Sequence, residues 1–318
     1  MSSRSVVRTV ALSLLLVPLG AWANVSTRPV PTDVPAYDER QAATLSSLHE
    51  AKKASGALIY VSTSAGIAVF DQNGNGPVEQ IPNNQGILAV DTQGNLYVSS
   101  GHVVTVYAPG QTTPTRTIHL ANAIQNFDLD THGDIWGTIV CSTKCQQPAL
   151  FEFDKRGKLL QALSCSAVQL YYGLTVDAAG DAFVDGYATG GLATVVEWPA
   201  GSTACQVLNT HEQGSGGLQV TKAGNLVVDD TYQVRSLTYA GPRFDKLIAT
   251  TAYVHEGFNF STRLRNGGHQ IWVSAPQWST ITRYPYPAGG TGTVTIGSSQ
   301  LPGYPGSIAV SPCAEPNC

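Results

Sequence analysis

The 318-residue chain has only 13% charged residues and a net charge of −4, so it lacks the clustered Lys and Arg that a nucleic-acid partner requires. Its 32 Gly, 18 Pro and single Met, with abundant Thr, Val and Tyr, predict an all-β chain with many tight turns.

The first 23 residues read as a secretory signal. Arg4 and Arg8 supply a positive start, Val10 to Val17 a short apolar core, and Ala21-Trp22-Ala23 a small-x-small cleavage site. The apolar core is too short to span a bilayer, and no later stretch is long enough, so no stable membrane span is expected after cleavage. Residues 24–56 read as a Pro-rich linker, Pro29 to Pro35, then a short helix, on which Ala42, Leu45 and Leu48 form a modest apolar face.

Three short strands follow: Leu58 to Ser62, Gly66 to Phe70 and Pro77 to Ile81. A fuller unit then begins at Gly86-Ile-Leu-Ala-Val-Asp91, turns through Thr-Gln-Gly94-Asn95 and runs on as Leu96-Tyr97-Val98. It continues through Val103 to Tyr107 and Thr115 to Ile118. The pattern returns at Asn126 to Trp136, Gly173 to Val184, Gly217 to Val228 and Gly257 to Val273, a period of roughly 40–47 residues.

Each unit divides into an apolar inner strand, a D-x-x-G-N/D turn whose Gly supplies positive φ, two further strands and an outer strand. Gly, Pro and β-branched residues inside every candidate turn of helix rule out a helical reading. The first three strands lack an inner partner, and Gly306 to Val310 is an inner strand with nothing after it but a Cys-bearing tail, 312–318. Joined, they complete a blade. The expectation is a six-bladed β-propeller over 57–311, with a composite closing blade of three N-terminal strands and one C-terminal strand.

The G-h-x-V-D and D-x-x-G-N-L-Y-V runs resemble the NHL repeat of exported bacterial proteins, and the blade count is similar to that of SMP-30/gluconolactonase-like propellers. The resemblance covers nearly all of Leu58 to Val310 and speaks to blade structure, since one fold hosts many functions. Gluconolactonase-like proteins imply a divalent ion at the channel mouth held by Glu, Asn and Asp. The inner-strand starts here carry Gln85, Gln125, Tyr172, Gly216, Glu256 and Pro305, a set poor in carboxylates. The extra blade and His/Glu arrangement of streptogramin-lyase-like propellers are not evident.

Blade topology sorts the loops onto two ends. The D-x-x-G and Pro/Gly turns share a uniform end. The loops between second and third strands, with the outer-to-inner connections, share a variable end, where function is expected. Two His-Glu pairs in consecutive units, His211-Glu212 and His255-Glu256, fall on the variable end. They offer imidazole and carboxylate ligands for a divalent metal, with His211, His255 and Glu256 as the leading candidates, or a general base with its orienting carboxylate. The simpler reading has each pair capping its loop and facing water.

Gln125 and Tyr172 join the candidates on that end, as does Trp278, whose ring could stack on a sugar or aromatic ligand. Asp185 and Asp229 end second strands, where they either line a site or tie neighbouring blades. Six cysteines in an exported chain predict disulfides: Cys141 with Cys145 and Cys313 with Cys318 as local pairs. That leaves Cys165 for Cys205, but the strand reading sets those two on opposite faces and makes the Cys141/Cys145 loop the competing partner for Cys165.

The sequence holds no nucleophile elbow, phosphate-binding Gly loop or H-E-x-x-H motif. Three functions follow. The first is a monomeric, exported (periplasmic or extracellular) module binding a small molecule, glycan or protein through the variable end. The second is a divalent-metal-dependent hydrolase or lyase, and the third a structural envelope component.

Overall fold

The computed structural model describes residues 58–139, 149–188, 190–208, 210, 216–221, 225–229, 233–238, 246–252, 262–265, 270–286 and 288–311. The signal (1–23), the linker and helix (24–56) and the tail (312–318) lie outside them. No helix among the described residues is long and apolar enough to cross a membrane.

The described chain is all-β and propeller-like, built from antiparallel sheets. The first contains β1 (Leu58–Thr63), β2 (Gly66–Asp71) and β3 (Glu79–Pro82). Its remaining strand is the last of the chain, β23 (Pro305–Val310), in the order β23-β1-β2-β3. Ile59 faces Val310 and Val61 faces Ile308 across the join. Ser311 closes it, its Oγ accepting from Leu58 N at 2.6 Å and its own N donating to Leu58 O at 2.8 Å.

The second sheet contains β4 (Ile87–Val90), β5 (Leu96–Tyr107) and β6 (Arg116–Ile124). Leu96 to Ser99 pair with β4, and Gly101 to Val106 pair with β6. Arg116 sits opposite Val106, yet its guanidinium donates to Tyr97 Oη at 3.1 Å. A straight strand would put Tyr97 and Val106 roughly 30 Å apart, so β5 doubles back near Gly101, where φ is +63°. Its two halves act as second and third strands. The segment His119 to Ile124, expected as a connection, is strand: a register shift in the β5–β6 pairing absorbs the extra residues and extends β6 to Ile124.

Three further sheets are simple meanders. They comprise β7 (Asn126–Leu129), β8 (Ile135–Thr138), β9 (Leu150–Phe153) and β10 (Leu159–Leu163); then β11 (Leu170–Val176), β12 (Ala182–Tyr187), β13 (Ala193–Trp198) and β14 (Gln206–Val207); then β15 (Leu218–Val220), β16 (Leu226–Asp229), β17 (Gln233–Thr238) and β18 (Lys246–Ala252). The sheet before the chain returns to β23 is β19 (Thr262–Arg265), β20 (Gln270–Ala275), β21 (Thr280–Pro285) and β22 (Val294–Ile296).

Inner strands touch in succession: β23 with β4, β4 with β7, β7 with β11, β11 with β15, β15 with β19, and β19 with β23. Apolar clusters fill the spaces between consecutive sheets. One joins Tyr60 and Val69 to Leu88 and Val98, another Trp136 and Leu163 to Tyr171 and Trp198, and another Trp272 and Ile281 to Ile59 and Ile308. Sheets covered on both faces need strands that are apolar on both faces. That is why Leu96-Tyr97-Val98 and Ala182-Phe183-Val184 are buried throughout rather than alternating.

The D-x-x-G turns form as their residues dictate. Asp91 Oδ1 accepts from Gln93 N and Asn95 N, both at 2.9 Å, and Gly94 supplies φ +83°. Asp130 and Asp177 repeat this at β7–β8 and β11–β12. Asp71 and Asp154 use the same device one hairpin further out, at β2–β3 and β9–β10.

One disulfide decides between the two arrangements open to Cys165: it bonds to Cys205, with Cα atoms 5.8 Å apart. The strand reading sets the two on opposite faces, and only a full-length outer strand after Cys205 would keep them apart. That strand, β14, is only two residues long, so its start lies a short step from the end it runs toward. Cys165 is buried in the cluster containing Trp198, against which Cys205 packs. Cys141, Cys145, Cys313 and Cys318 lie outside the described residues.

Candidate binding faces

In each meander the second-to-third strand loop and the exit to the next sheet fall at the same end, so the topology collects them all on one side. His211, Glu212, His255 and Glu256, expected there, lie outside the described residues. The other candidates on this side are described. Gln125, between β6 and β7, is exposed, and its N donates to Thr138 O at 2.7 Å. Tyr172, the third residue of β11, is half-buried and meets Tyr187 edge-to-face at 5.7 Å and 88°. Burial, then the neighbouring Tyr187 hydroxyl, raise the Tyr172 pKa above the usual phenol value. Asn126 Nδ2 donates to Tyr172 O, fixing the backbone beneath that pair.

Trp278 is 58% exposed on a single 3-10 turn, Pro276–Trp278. Pro276 opens the turn, and Ser279 ends it in the left-handed region at φ 51°. The backbone thus holds the indole on a short, restrained loop rather than a floppy one. Leu192, 72% exposed, tips the β12–β13 loop, and Tyr304, 70% exposed, precedes β23. The sequence places Tyr304 in a connection of that end, but neither residue was among the site candidates. Their signal was present, since each is a large apolar residue beside Gly in a connection of the variable end.

Asp185 and Asp229 have a different setting, being wholly buried. Each is the fourth residue of the core of its second strand. The matching positions in the other sheets hold Ser62, Ser99, Thr138 and Ser274, all buried. Asp185 Oδ2 accepts from Gly216 N at 2.6 Å, and Ser62 Oγ from Gly86 N at 3.1 Å. In both cases the donor stands at the entry to the next sheet's inner strand. Asp185 and Ser62 thus clasp one sheet to the next.

The opposite end, expected to be uniform, carries a groove of about 520 Å³ between the turns 91–95 and 130–134. Its floor is Tyr97 and Val106, and its rim holds Arg116, His132 and Lys155. Arg116 lies over the Tyr97 ring, 5.9 Å from its centroid. Burial raises the Tyr97 pKa, the Asp91 charge adds to that, and Arg116 opposes it. Beside the groove, oxygens of Asp130, Asp134 and Glu152 lie within 4.8 Å of one another. Burial first, then the charges of Asp134 and Asp130, raise the Glu152 pKa, against a lowering hydrogen bond from Gln161 Nε2 at 2.5 Å. Sequence reasoning missed this groove because its walls come from turns that look alike singly.

Fold and sites together define a β-propeller with two chemically distinct ends. No family model and no curated protein sequence matches the chain. Among solved structures, a chain from the crystal structure of the nidogen/laminin complex is similar over 81% of this chain and 99% of its own. Its TM-score is 0.65 at 14% identity. A protein of unknown function from Bacteroides caccae is similar over the same shares, 81% and 99%, with a TM-score of 0.58 at 12% identity. At those identities the likeness is one of fold.

Proposed function

We propose that this is an exported, six-bladed, NHL-like β-propeller that binds a ligand or protein partner through its variable end, the end on which the sequence reading expects His211, Glu212, His255 and Glu256. The observation that carries this reading is where the three most exposed large apolar side chains among the described residues fall, while the less exposed Leu159, Leu160 and Val207 sit on outer strands. Leu192, Trp278 and Tyr304, between 58% and 72% exposed, all occupy connections of that end. Aromatic anchors on restrained loops are what binding surfaces use, because they contribute area at little entropic cost. A propeller chain in the nidogen/laminin complex supports a protein partner by analogy of architecture.

The six-blade count draws support from the succession of inner strands, which returns from β19 to β23. Export draws support from the signal-like first 23 residues and from the Cys165–Cys205 bond, which suits an oxidising compartment.

Photocrosslinking residues at positions 192, 278 and 304, with a control at Leu160 on outer strand β10, test the assignment. Partner adducts should form at the first three positions and be absent at the fourth. Equal labelling at all four, or none at the three, refutes the reading. Metal analysis addresses the hydrolase or lyase alternative. Stoichiometric metal that survives dialysis and disappears from a His211→Ala/His255→Ala variant would replace the binding module with a metal-dependent enzyme.

A further inference from the structure

We propose that the turn joining β2 to β3 is a calcium site, with ligands from Asp71, Asn73, Asn75, the Pro77 carbonyl and Glu79. It lies at the D-x-x-G end and rests on no part of the variable-end reading.

Ligand chemistry and spacing come first. Calcium takes roughly six to eight oxygens, and one short loop supplies most of them when oxygen-bearing side chains stand at its first, third, fifth and ninth residues. Such a loop also needs Gly at the sixth residue, for a sharp bend, and a backbone carbonyl at the seventh. The run Asp71-Gln-Asn73-Gly-Asn75-Gly76-Pro77-Val-Glu79 meets every one of these conditions. Four sibling turns, opened by Asp91, Asp130, Asp154 and Asp177, do not. Their sixth residues are Leu96, Ile135, Leu159 and Ala182, each the first residue of a strand. After Asp71 the chain instead bends at Gly76, with φ +141°, and β3 begins only at Glu79. A Cβ at Gly76 would stand 2.7 Å from Val78 N, so the bend needs this Gly.

The side chains converge as the spacing requires. Asp71 Oδ1 accepts from Asn73 N and Asn75 N, both at 2.8 Å, which leaves Oδ2 to the Asn75 amide at 2.9 Å. A half-turn of that amide exchanges its nitrogen for its oxygen. Two oxygens at this spacing suit neighbouring ligands around an ion held at roughly 2.3–2.6 Å. A buried group on the adjoining strand points to the same place. Tyr60 faces Val69 and Val69 faces Glu79 across the ladders, so the phenol and the carboxylate share one face of the sheet. Tyr60 is 2% exposed, and its Oη has the Gly110 backbone near it but no hydrogen bond of ordinary geometry. Ninth-position ligands of such loops often act through a water on the ion, and that water would satisfy the phenol.

Charge sets the strength. Two carboxylates with neutral partners, and Pro82 where tighter loops carry a twelfth-position Glu, place the dissociation constant at about 10⁻⁴–10⁻³ M. Magnesium, which demands near-ideal octahedral geometry and gives up water reluctantly, should bind at least tenfold more weakly.

Titration calorimetry of the full chain with calcium chloride and with magnesium chloride decides the matter. Calcium should bind at one site in that range. Asn73→Ala should weaken it by on the order of tenfold, and Glu79→Gln by at least as much. Asn73 is exposed and its side chain holds nothing in the turn, so its loss leaves the fold intact. Glu152→Gln, in the Asp130–Asp134–Glu152 cluster, should leave calcium binding unchanged. Absence of calcium binding at millimolar concentration overturns the proposal. So does equal affinity for magnesium, unchanged affinity in Asn73→Ala and Glu79→Gln, or a loss in Glu152→Gln alone.

Discussion

Glu152 shows how a single carboxyl can work against the fold that holds it. Its half-buried position and the nearby Asp134 and Asp130 charges raise its pKa, so the folded protein favours the neutral form more than the unfolded chain does. The penalty for ionising it in place is absent below the unfolded pKa and fully present above the raised folded one. Glu152→Gln should therefore stabilise the protein at pH 7, by no more than ~1 kcal/mol because solvent still reaches the group. The gain should fade as pH falls through the raised pKa. Urea unfolding of both proteins at pH 4 and pH 7 checks it; a gain that grows on acidification would contradict the assignment. Glu197, paired with Gln206 at 2.8 Å and raised mainly by burial, repeats the arrangement one sheet further on.

At the level of elements, the disulfide and the clasps join sheets that share no backbone ladder. The Cys165–Cys205 bond closes a loop of 40 residues, for which chain entropy gives about 4 kcal/mol. A Cys165→Ser/Cys205→Ser variant should lose a large part of that in denaturant unfolding while keeping its far-UV spectrum. Unchanged stability would mean that the packing of Leu163, Tyr171 and Trp198 already holds the two sheets together. This is also the scale at which the sequence stops being readable. The Asp91, Asp130 and Asp177 turns were legible because every hydrogen bond in them is local. The Cys165 pairing was legible only as a choice between Cys205 and the Cys141/Cys145 loop, because it depends on β14 being two residues long, which no local signal encodes. Ser62 likewise looks like any strand serine until a neighbouring sheet is set beside it. The groove of Arg116, His132 and Lys155 needs two turns from different sheets to exist at all.

For the whole molecule, β23 is the strand on which most depends. It pairs with β1, touches β4 and β19, and places Ser307 Oγ to accept from Leu88 N at 2.9 Å. A chain ending at Gly303 should lose its cooperative thermal transition rather than shift it by a few degrees, because two sheet interfaces lose a wall at once. Scanning calorimetry reads this directly. A truncated chain that melts as sharply as the full one would show that the first sheet stands without its inner strand.

The same join sets a schedule. Synthesis runs from the amino end, so β1 emerges some 240 residues before the strand that will cover its edge. At roughly 5–20 residues per second that interval is on the order of 10–50 s. Throughout it, the bare edge of β1 is a template for any passing strand, including a sister chain's β1. Cells making this protein must keep neighbouring nascent chains apart, or hold each one unpaired, until Val310 has arrived.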